Sequence, residues 1–254
     1  MKGELRVLGF VTIIFLWYGA TFSTLIDLPP PHEVGEKFFS LLITPEPVLG
    51  KNLLQHSLSS VTRVIAGSSI AFIIAIPLGI LMGWNLNLDM YFSMMVEVFR
   101  PIPPLAWIPL AYIIFAGFAN PVQLAQIFIV FLGAFFPCLL STREFARATD
   151  KNLVEMGYAF GATDKDVLRE IVIPNSIPGI LAGIRIGLGI GWMTIVAAEM
   201  LATSGSGLGY FIMVMYEVGG RVGEIISGMV MIGLIGYIMN EVVLFAERKL
   251  LRWR

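Results

Sequence analysis

The sequence predicts an all-α integral membrane protein with six transmembrane helices in a single domain, residues 1–254. Hydrophobic residues make up 57% of the chain and charged residues 14%, whereas soluble domains usually contain about a quarter charged residues. Apolar stretches of about 20 residues, long enough to cross a bilayer as a helix, recur along the chain. The connections between them are short and leave no room for a second domain.

The apolar stretches place the helices, because backbone polar groups inside a bilayer must be hydrogen-bonded within their own segment. We expect the first stretch to be a retained helix, since it has no small-x-small cleavage site. The third is the least regular and continues backwards across a proline-rich break. The predicted spans are residues 7–26, 57–84, 105–118 extended back through 91–99, 122–140, 178–202 and 225–246.

The break in the third span contains Arg100 and four nearby prolines, at positions 101, 103, 104 and 109. Prolines remove backbone donors and interrupt a helix, and irregular backbone within a membrane must lie against protein or water. A broken helix here could form part of a gate. The alternative is an interfacial kink whose Arg100 side chain reaches the cytoplasmic headgroups.

The positions of lysine and arginine predict the orientation, because retained cytoplasmic segments are enriched in them. If the N-terminus is cytoplasmic, most basic residues fall on that side, and Lys37, Lys51 and Arg221 remain outside. We therefore expect both termini in the cytoplasm. In the outer loop, residues 27–56, we expect an extended start and an apolar piece along the interface at 38–43.

Several function classes are excluded by what the sequence lacks. One cysteine, Cys138, cannot form a disulfide within the chain, and two histidines, His32 and His56, provide no metal site. A net charge of -1 gives no reason to expect a nucleic-acid partner. The Gly-x-x-x-x-Gly-Lys-Ser/Thr motif is absent, so we predict no ATP site of this kind and no enzymatic activity.

The loop between the fourth and fifth spans, residues 142–177, has a helical pattern. Asp150 is a suitable N-cap, and apolar residues at helical spacing lead to Gly161, where a helix would end in the left-handed conformation. A second helix is predicted to begin at residues 163–166, Thr-Asp-Lys-Asp, and to stop at Pro174. Such a loop could dock another protein or fold back on the ends of the spans.

This loop closely resembles the cytoplasmic motif of ABC importer permeases. That motif has a Glu-Ala-Ala triplet, a glycine four residues later, nine further residues and Ile-x-Leu-Pro. Here residues 155–161 read Glu-Met-Gly-Tyr-Ala-Phe-Gly and residues 171–174 read Ile-Val-Ile-Pro at the same spacing. The departures are Met156 and Gly157 in place of alanines and Ile173 in place of leucine.

Other segments are similar to one subgroup of these permeases, which imports nitrate, sulfonates, taurine, bicarbonate and vitamin precursors. They are residues 100–110, Arg-Pro-Ile-Pro-Pro-Leu-Ala-Trp-Ile-Pro-Leu, residues 196–200, Val-Ala-Ala-Glu-Met, and residues 207–209, Gly-Leu-Gly. The resemblance implies a type I ABC importer permease fold in the cytoplasmic (inner) membrane and a small anionic solute. It implies a homodimer, two separate ATPase subunits that bind ATP and Mg, and an extracytoplasmic solute-binding protein.

The resemblance also implies that the loop contains a coupling helix, which docks in a groove of the ATPase. The residues expected to couple to the ATPase are Leu153, Glu155, Met156, Gly157, Phe160, Gly161, Ile171 and Pro174.

The fifth span has two specialised faces. Glycines four residues apart, which allow helices to approach closely, form the face expected to pack within the subunit: Gly179, Gly183, Gly187 and Gly191. Side chains seven residues apart form the other face: Arg185, Trp192 and Glu199. With Arg100, we expect this second face to border the translocation pathway or the dimer partner. Alternatively, its charged groups reach the headgroups at the two ends of the span.

Two other functions stay open at this point. A secondary carrier would be expected to show acidic residues at mid-span and an internal repeat, and the sequence shows no convincing repeat. A membrane scaffold would use the loop to recruit a soluble partner without transporting anything.

Overall fold

The computed structural model describes residues 2–21, 28–201 and 205–250, and these ranges contain helices and no β-strand. In chain order the helices are α1 (Lys2–Thr21), α2 (Pro31–Ile43), α3 (Leu53–Trp84), α4 (Leu86–Phe99), α5 (Ile108–Phe115), α6 (Pro121–Arg147), α7 (Lys151–Ala159), α8 (Asp164–Val167), α9 (Ile173–Leu201), α10 (Leu208–Val218) and α11 (Val222–Leu250). A 3₁₀ turn, Pro104–Trp107, precedes α5, and a π-helical segment, Leu168–Val172, joins α8 to α9.

Among the described residues, four helices are long and apolar enough to span a membrane: α3, α6, the continuous helix Asp164–Leu201, and α11. They match the predicted second, fourth, fifth and sixth spans. The predicted third span is a bent pair, α4 and Pro104–Phe115, which meet at 86°. The predicted first span, residues 7–26, lies partly outside the described residues, and its described apolar part, Val11–Thr21, is shorter than a span.

The helices run alternately between two ends of a bundle. We call one the α7 end, where α3, α6 and α11 finish and α4 and α9 begin, and the other the α10 end. The apolar piece expected along the interface at 38–43 belongs to α2, whose Val34 and Leu41 are buried. At the α10 end, Leu41 packs in a core that includes Leu53 of α3 and Phe211 of α10.

The prediction that Pro174 ends a short second helix is wrong, because the helix continues from Asp164 to Leu201. The reason is the π-helical segment, in which the N–H of Ile173 donates to the carbonyl of Leu168 five residues earlier. A wide turn of this kind shifts the hydrogen-bond ladder locally and accommodates the proline that follows it.

Helix α6 lies between α3 and α9, and both neighbours approach it through glycines. A Cβ on Gly67 of α3 would lie 2.6 Å from the carbonyl oxygen of Ile127, and one on Gly79 would lie 2.8 Å from that of Leu139. Real Cβ atoms do not come so close, so only glycine permits this distance between the helices.

The glycine face of α9 packs on the other side of α6. A Cβ on Gly183 would lie 3.0 Å from Cα of Cys138, and one on Gly187 would lie 2.8 Å from the carbonyl oxygen of Ala134. Gly179 faces the ring of Phe145, and Gly191 faces Val130. The glycine face therefore packs within a single subunit, and α3, α6 and α9 form one closely packed unit.

This packing predicts a position-specific effect of alanine on α9. Gly187→Ala should lower the free energy of unfolding by about 1–3 kcal/mol, because the added methyl group overlaps the α6 backbone. Gly189→Ala is the matched control, since a Cβ there meets nothing within 4 Å. The control should be neutral or stabilising by up to about 1 kcal/mol, because alanine favours a helix. Thermal unfolding in detergent measures both changes, and equal effects would contradict this account.

Candidate functional site

A cavity of about 390 Å³ lies between the bend after α4 and the helices α6 and α9. One charged side chain lines it, that of Arg100. The other lining residues are apolar, glycine or proline: Ile102, Pro104, Leu132, Gly133, Phe136, Pro137, Leu140, Ile186 and Ile190. The cavity therefore presents one positive charge against an apolar wall.

The cavity lies near the middle of the bundle. Asp89, in the first turn of α4, forms ion pairs with Arg143 at 2.5 Å and Arg147 at 3.3 Å, which places the start of α4 at the α7 end. Arg100 follows eleven residues later, about 16 Å along the helix. Gly133, halfway along α6, lines the same cavity. Arg100 thus lies about halfway along the bundle, between its two ends.

Arg100 is exposed, and within the described part of the chain its side chain forms no ion pair. An ionised group at this depth is costly against lipid and normally faces protein or a water-filled space. The bend follows directly after Arg100, whose N–H still donates to the carbonyl of Val96 at 2.9 Å, because the prolines at 101 and 103 cannot donate to the helical ladder.

At the α7 end, helix α7 presents an apolar face to the surroundings. The exposed fractions are 48% for Leu153, 54% for Met156 and 87% for Phe160. These residues are three and four positions apart and so share one face of the helix. Because the helix lies outside the spans, a patch of this kind is typical of a protein–protein contact.

The opposite side of α7 is fixed to the ends of the spans. Gly157 packs against Ile171, whose Cδ1 would be 3.1 Å from a Cβ at position 157. Val154 and Ile171 pack on a small core that includes Ala146 of α6 and Val167 of α8. The loop therefore folds back on the ends of the spans and leaves one apolar face of α7 uncovered.

Gly161 ends α7 in the left-handed conformation, with φ of 84°, as the sequence predicted. The N–H of Ala162 donates to the carbonyl of Gly157 at 3.0 Å, and that of Gly161 donates to Tyr158 at 2.9 Å. These are the two hydrogen bonds of a Schellman motif. Beside it, the Tyr158 hydroxyl donates to Asp164 at 2.8 Å, which raises the pKa of Tyr158.

Glu155 lies on another side of α7 and lines a cavity of about 230 Å³ with Arg147 and Lys151. Among the described residues, no group of three or more histidine, cysteine, aspartate or glutamate side chains is arranged to hold a metal ion.

The second face of the fifth span does not line the large cavity. The indole N–H of Trp192 donates to the carbonyl of Ile232 at 3.2 Å, and Arg185 pairs with Glu247 at 3.6 Å. Both partners belong to α11 of the same chain. Trp192 and Arg185 therefore contact α11 within the chain, and the Arg185 side chain is still 41% exposed.

Glu199 lies in a fully buried network at the α10 end. Its Oε1 accepts from Nη1 of Arg63 at 2.6 Å, its Oε2 accepts from the N–H of Gly209 at 3.1 Å, and the Ser60 hydroxyl lies within 3.0 Å of both oxygens. The side-chain exposure is 0% for Glu199 and 5% for Arg63. Glu199 therefore reaches neither the headgroups nor the cavity, because donors from α3 and α10 surround it.

The same network holds the start of α10. The N–H of Leu208 donates to Ser60 Oγ at 2.9 Å, and that of Gly207 donates to His56 Nδ1 at 3.2 Å. Gly207 has φ of 119°, and a Cβ there would overlap the Glu199 carboxylate. A helix N-terminus has unpaired N–H groups and a partial positive charge, and here buried side chains of α3 and α9 satisfy both.

Arg63 is a residue of this network that the sequence analysis did not identify. The available signal was a polar stripe on an otherwise apolar helix, in which His56, Ser60 and Arg63 follow one another at helical spacing. An arginine on such a stripe requires an acidic partner in another span, and Glu199 was the candidate.

Removing one member of this pair should be strongly destabilising. Glu199→Ala leaves the Arg63 charge buried without a counter-ion, which should cost about 3–5 kcal/mol of unfolding free energy. Glu247→Ala is the control, because it breaks an Arg–Glu pair that is partly exposed and should cost about 1 kcal/mol or less. Chemical denaturation in detergent measures both losses. A loss for Glu199→Ala no larger than for the control would refute this role.

Comparison with known proteins agrees with this architecture. A family described as binding-protein-dependent transport system inner membrane component matches residues 75–252. A protein of Methanocaldococcus jannaschii named as an ABC transporter permease is 42% identical over 86% of this chain and 81% of its own length. The bicarbonate transport system permease protein of Synechococcus elongatus is 32% identical over 98% and 89%, and the taurine transport system permease protein of Escherichia coli 30% over 95% and 86%.

Among solved structures, the MetNI methionine ABC transporter has a chain that superposes with a TM-score of 0.68 at 19% identity, covering 78% of this chain and 96% of that one. This likeness shows the fold, that of a type I ABC importer permease. The family match covers well over half of the chain. The chain therefore belongs to the binding-protein-dependent transport system inner membrane components, the permease subunits of ABC importers, which are not themselves enzymes.

Proposed function

We propose that this chain is the membrane subunit that moves a small anionic solute inward when separate ATPase subunits dock on α7 and hydrolyse ATP. The proposal rests on the loop at residues 142–177, which we now call the coupling loop. It holds an exposed apolar helix face in a fixed position on the ends of α3, α6 and α9. A partner that pushes on this face therefore acts on the spans directly.

The family supports the remaining parts of this proposal. Two copies of the chain form the pathway at their interface, two ATPases bind ATP and Mg, and a solute-binding protein delivers the solute at the α10 end. Both termini and the coupling loop are cytoplasmic. A ligand drives such a change only if it binds the two states differently, so ATP-bound and ATP-free partners must contact α7 differently.

Arg100 supports an anionic solute. Its charge lies at mid-depth in an otherwise apolar cavity, where a cation is costly unless an anion or water compensates it. The names of two relatives, a bicarbonate and a taurine permease, agree with an acidic solute group. In this proposal the solute's acidic group passes Arg100 on its way between the two copies.

Phe160 provides the test of docking. Phe160→Ser should weaken ATPase binding about tenfold or more, because burying a phenylalanine contributes about 1.5–3 kcal/mol. The control is Phe118→Ser, which removes another exposed ring, 60% exposed against 87% for Phe160, at the other end of the bundle. Affinity purification of the tagged chain with its natural partners, followed by mass spectrometry, measures the recovered ATPase. If no ATPase were recovered even with the wild type, the proposal would be wrong, and a carrier or scaffold would replace it.

Arg100 provides the test of the pathway. Arg100→Gln should lower anion uptake into liposomes by about 10- to 100-fold, since a hydrogen bond to a charged group contributes about 1.5–3 kcal/mol. ATPase recovery should be unchanged, because Arg100 is far from α7. Lys249→Gln removes an exposed cation in the last turn of α11 and should leave uptake near the wild-type rate. Unchanged uptake in Arg100→Gln would exclude Arg100 from the pathway.

A further inference from the structure

We propose that Arg63 is a positioning residue for transport. With Glu199 it fixes α10 to the helix that carries the coupling loop, so that a movement of the loop reaches the α10 end of the subunit. This inference rests on the proposed function, because it concerns how ATP hydrolysis by a partner would be converted into solute movement.

The first step is that one helix connects the two ends. Residues Asp164–Leu201 form a continuous helix of 38 residues, about 57 Å long. Its first residues belong to the coupling loop, and Glu199 lies two residues before its other end. Along its length the glycine face keeps it in close contact with α6. Because this contact runs along most of α9, we expect a displacement at one end of the helix to reach the other end.

The second step is the joint at the far end. Arg63 holds three elements through one guanidinium: it belongs to α3, its Nη1 donates to Glu199 of α9, and it also binds Ser206, just before α10. The contacts to Ser206 are 3.0 Å from Nη1 to the carbonyl oxygen and 2.7 Å from Nη2 to Oγ. Glu199 in turn accepts from Gly209 in the first turn of α10.

The joint is also sterically fixed. A Cβ on Gly209 would overlap the carbonyl oxygen of Val196, so the backbones of α10 and α9 are in direct contact. The carboxylate and guanidinium are buried, so losing one of these hydrogen bonds would leave a buried polar group unpaired. The planar fork of arginine reaches Glu199 and Ser206 together, whereas the single ammonium of a lysine cannot reproduce both contacts.

The third step concerns the surroundings of the C-terminal end of α10. Tyr216 and Val218, near its C-terminus, are exposed at the surface of the α10 end, and Gly219 and Gly220 turn the chain into α11. Glu224 of α11 then binds Lys37 of α2 at 3.1 Å. A displacement of α10 would therefore reach the surface on which a solute-binding protein docks in the proposed function.

The test separates coupling from folding with conservative variants. Arg63→Lys keeps the charge and removes the fork, and Ser60→Ala removes the hydroxyl that joins Glu199 to the N–H of Leu208. Ser59→Ala is the matched control, because that hydroxyl bonds only within α3, to the carbonyl of Gln55. Uptake and ATP hydrolysis are measured together in liposomes that contain the complete complex with its ATPases and binding protein.

We expect Arg63→Lys and Ser60→Ala to hydrolyse ATP at close to the wild-type rate while solute moved per ATP falls about tenfold. Ser59→Ala should keep the wild-type ratio. If uptake and hydrolysis fell together, the network would be merely structural and the inference would be wrong. A wild-type ratio in both variants would refute it equally. Absence of ATP-dependent uptake in the wild type would instead refute the proposed function.

A distance measurement shows where in the subunit the coupling is lost. Nitroxide labels are placed at Lys165→Cys on the coupling loop or Tyr216→Cys on α10, and the distance between the two copies is measured with and without ATP. Cys138 is buried and is replaced by alanine in all samples. In the wild type both distances should change, and in Arg63→Lys only the distance at position 165 should change. A retained change at position 216 in Arg63→Lys would overturn the inference.

Discussion

The close approach of α3 and α9 to the two sides of α6 is the constraint on which the rest of the subunit depends. An apolar helix is as favourably surrounded by lipid as by another apolar helix, so the hydrophobic effect does not drive the helices together. Their association must therefore come from close contact. The glycines on α3 and α9 provide that contact by bringing backbone against backbone. Because a methyl group would not fit at several of these positions, the three helices have one permitted arrangement and no nearby alternative.

This central unit explains the positions of the two candidate sites. The coupling loop packs on the ends of α3, α6 and α9 at one side of the bundle, and the Arg63–Glu199 network joins α3 to α9 at the other. The cavity with Arg100 lies beside the same unit, where the bend after α4 leaves a gap against α6 and α9. The bend removes backbone hydrogen bonds at membrane depth, which costs free energy. The same bend brings the Arg100 side chain to a depth at which a continuous helix would present apolar residues.

Much of this could be predicted from the sequence, because it depends on local chemistry. The length of the apolar stretches located four spans. Asp150 caps α7 as expected, since its side chain accepts from the N–H of Asn152 at 2.9 Å. The capping box at Thr163 and Asp166 is also present. The partner of Glu199 could not be predicted, since Arg63 is 136 residues away and only the tertiary fold brings the two together. The continuation of the helix past Pro174 was missed because it depends on a wide turn that has no simple signature.

That wide turn at Leu168–Val172 also determines angular register. Each residue of a helix advances the side-chain direction by about 100°, and a π turn contains one residue more than an α turn. It therefore determines which way Ile171 and α8 point relative to the glycine face of α9. If the five residues of this segment adopted ordinary α geometry without a change in their number, the coupling loop would rotate around the helix axis by roughly a quarter turn. The hydrogen-bond pattern of the segment therefore sets the direction of the coupling loop, and removing one residue would return the helix to α geometry with the loop nearly in place.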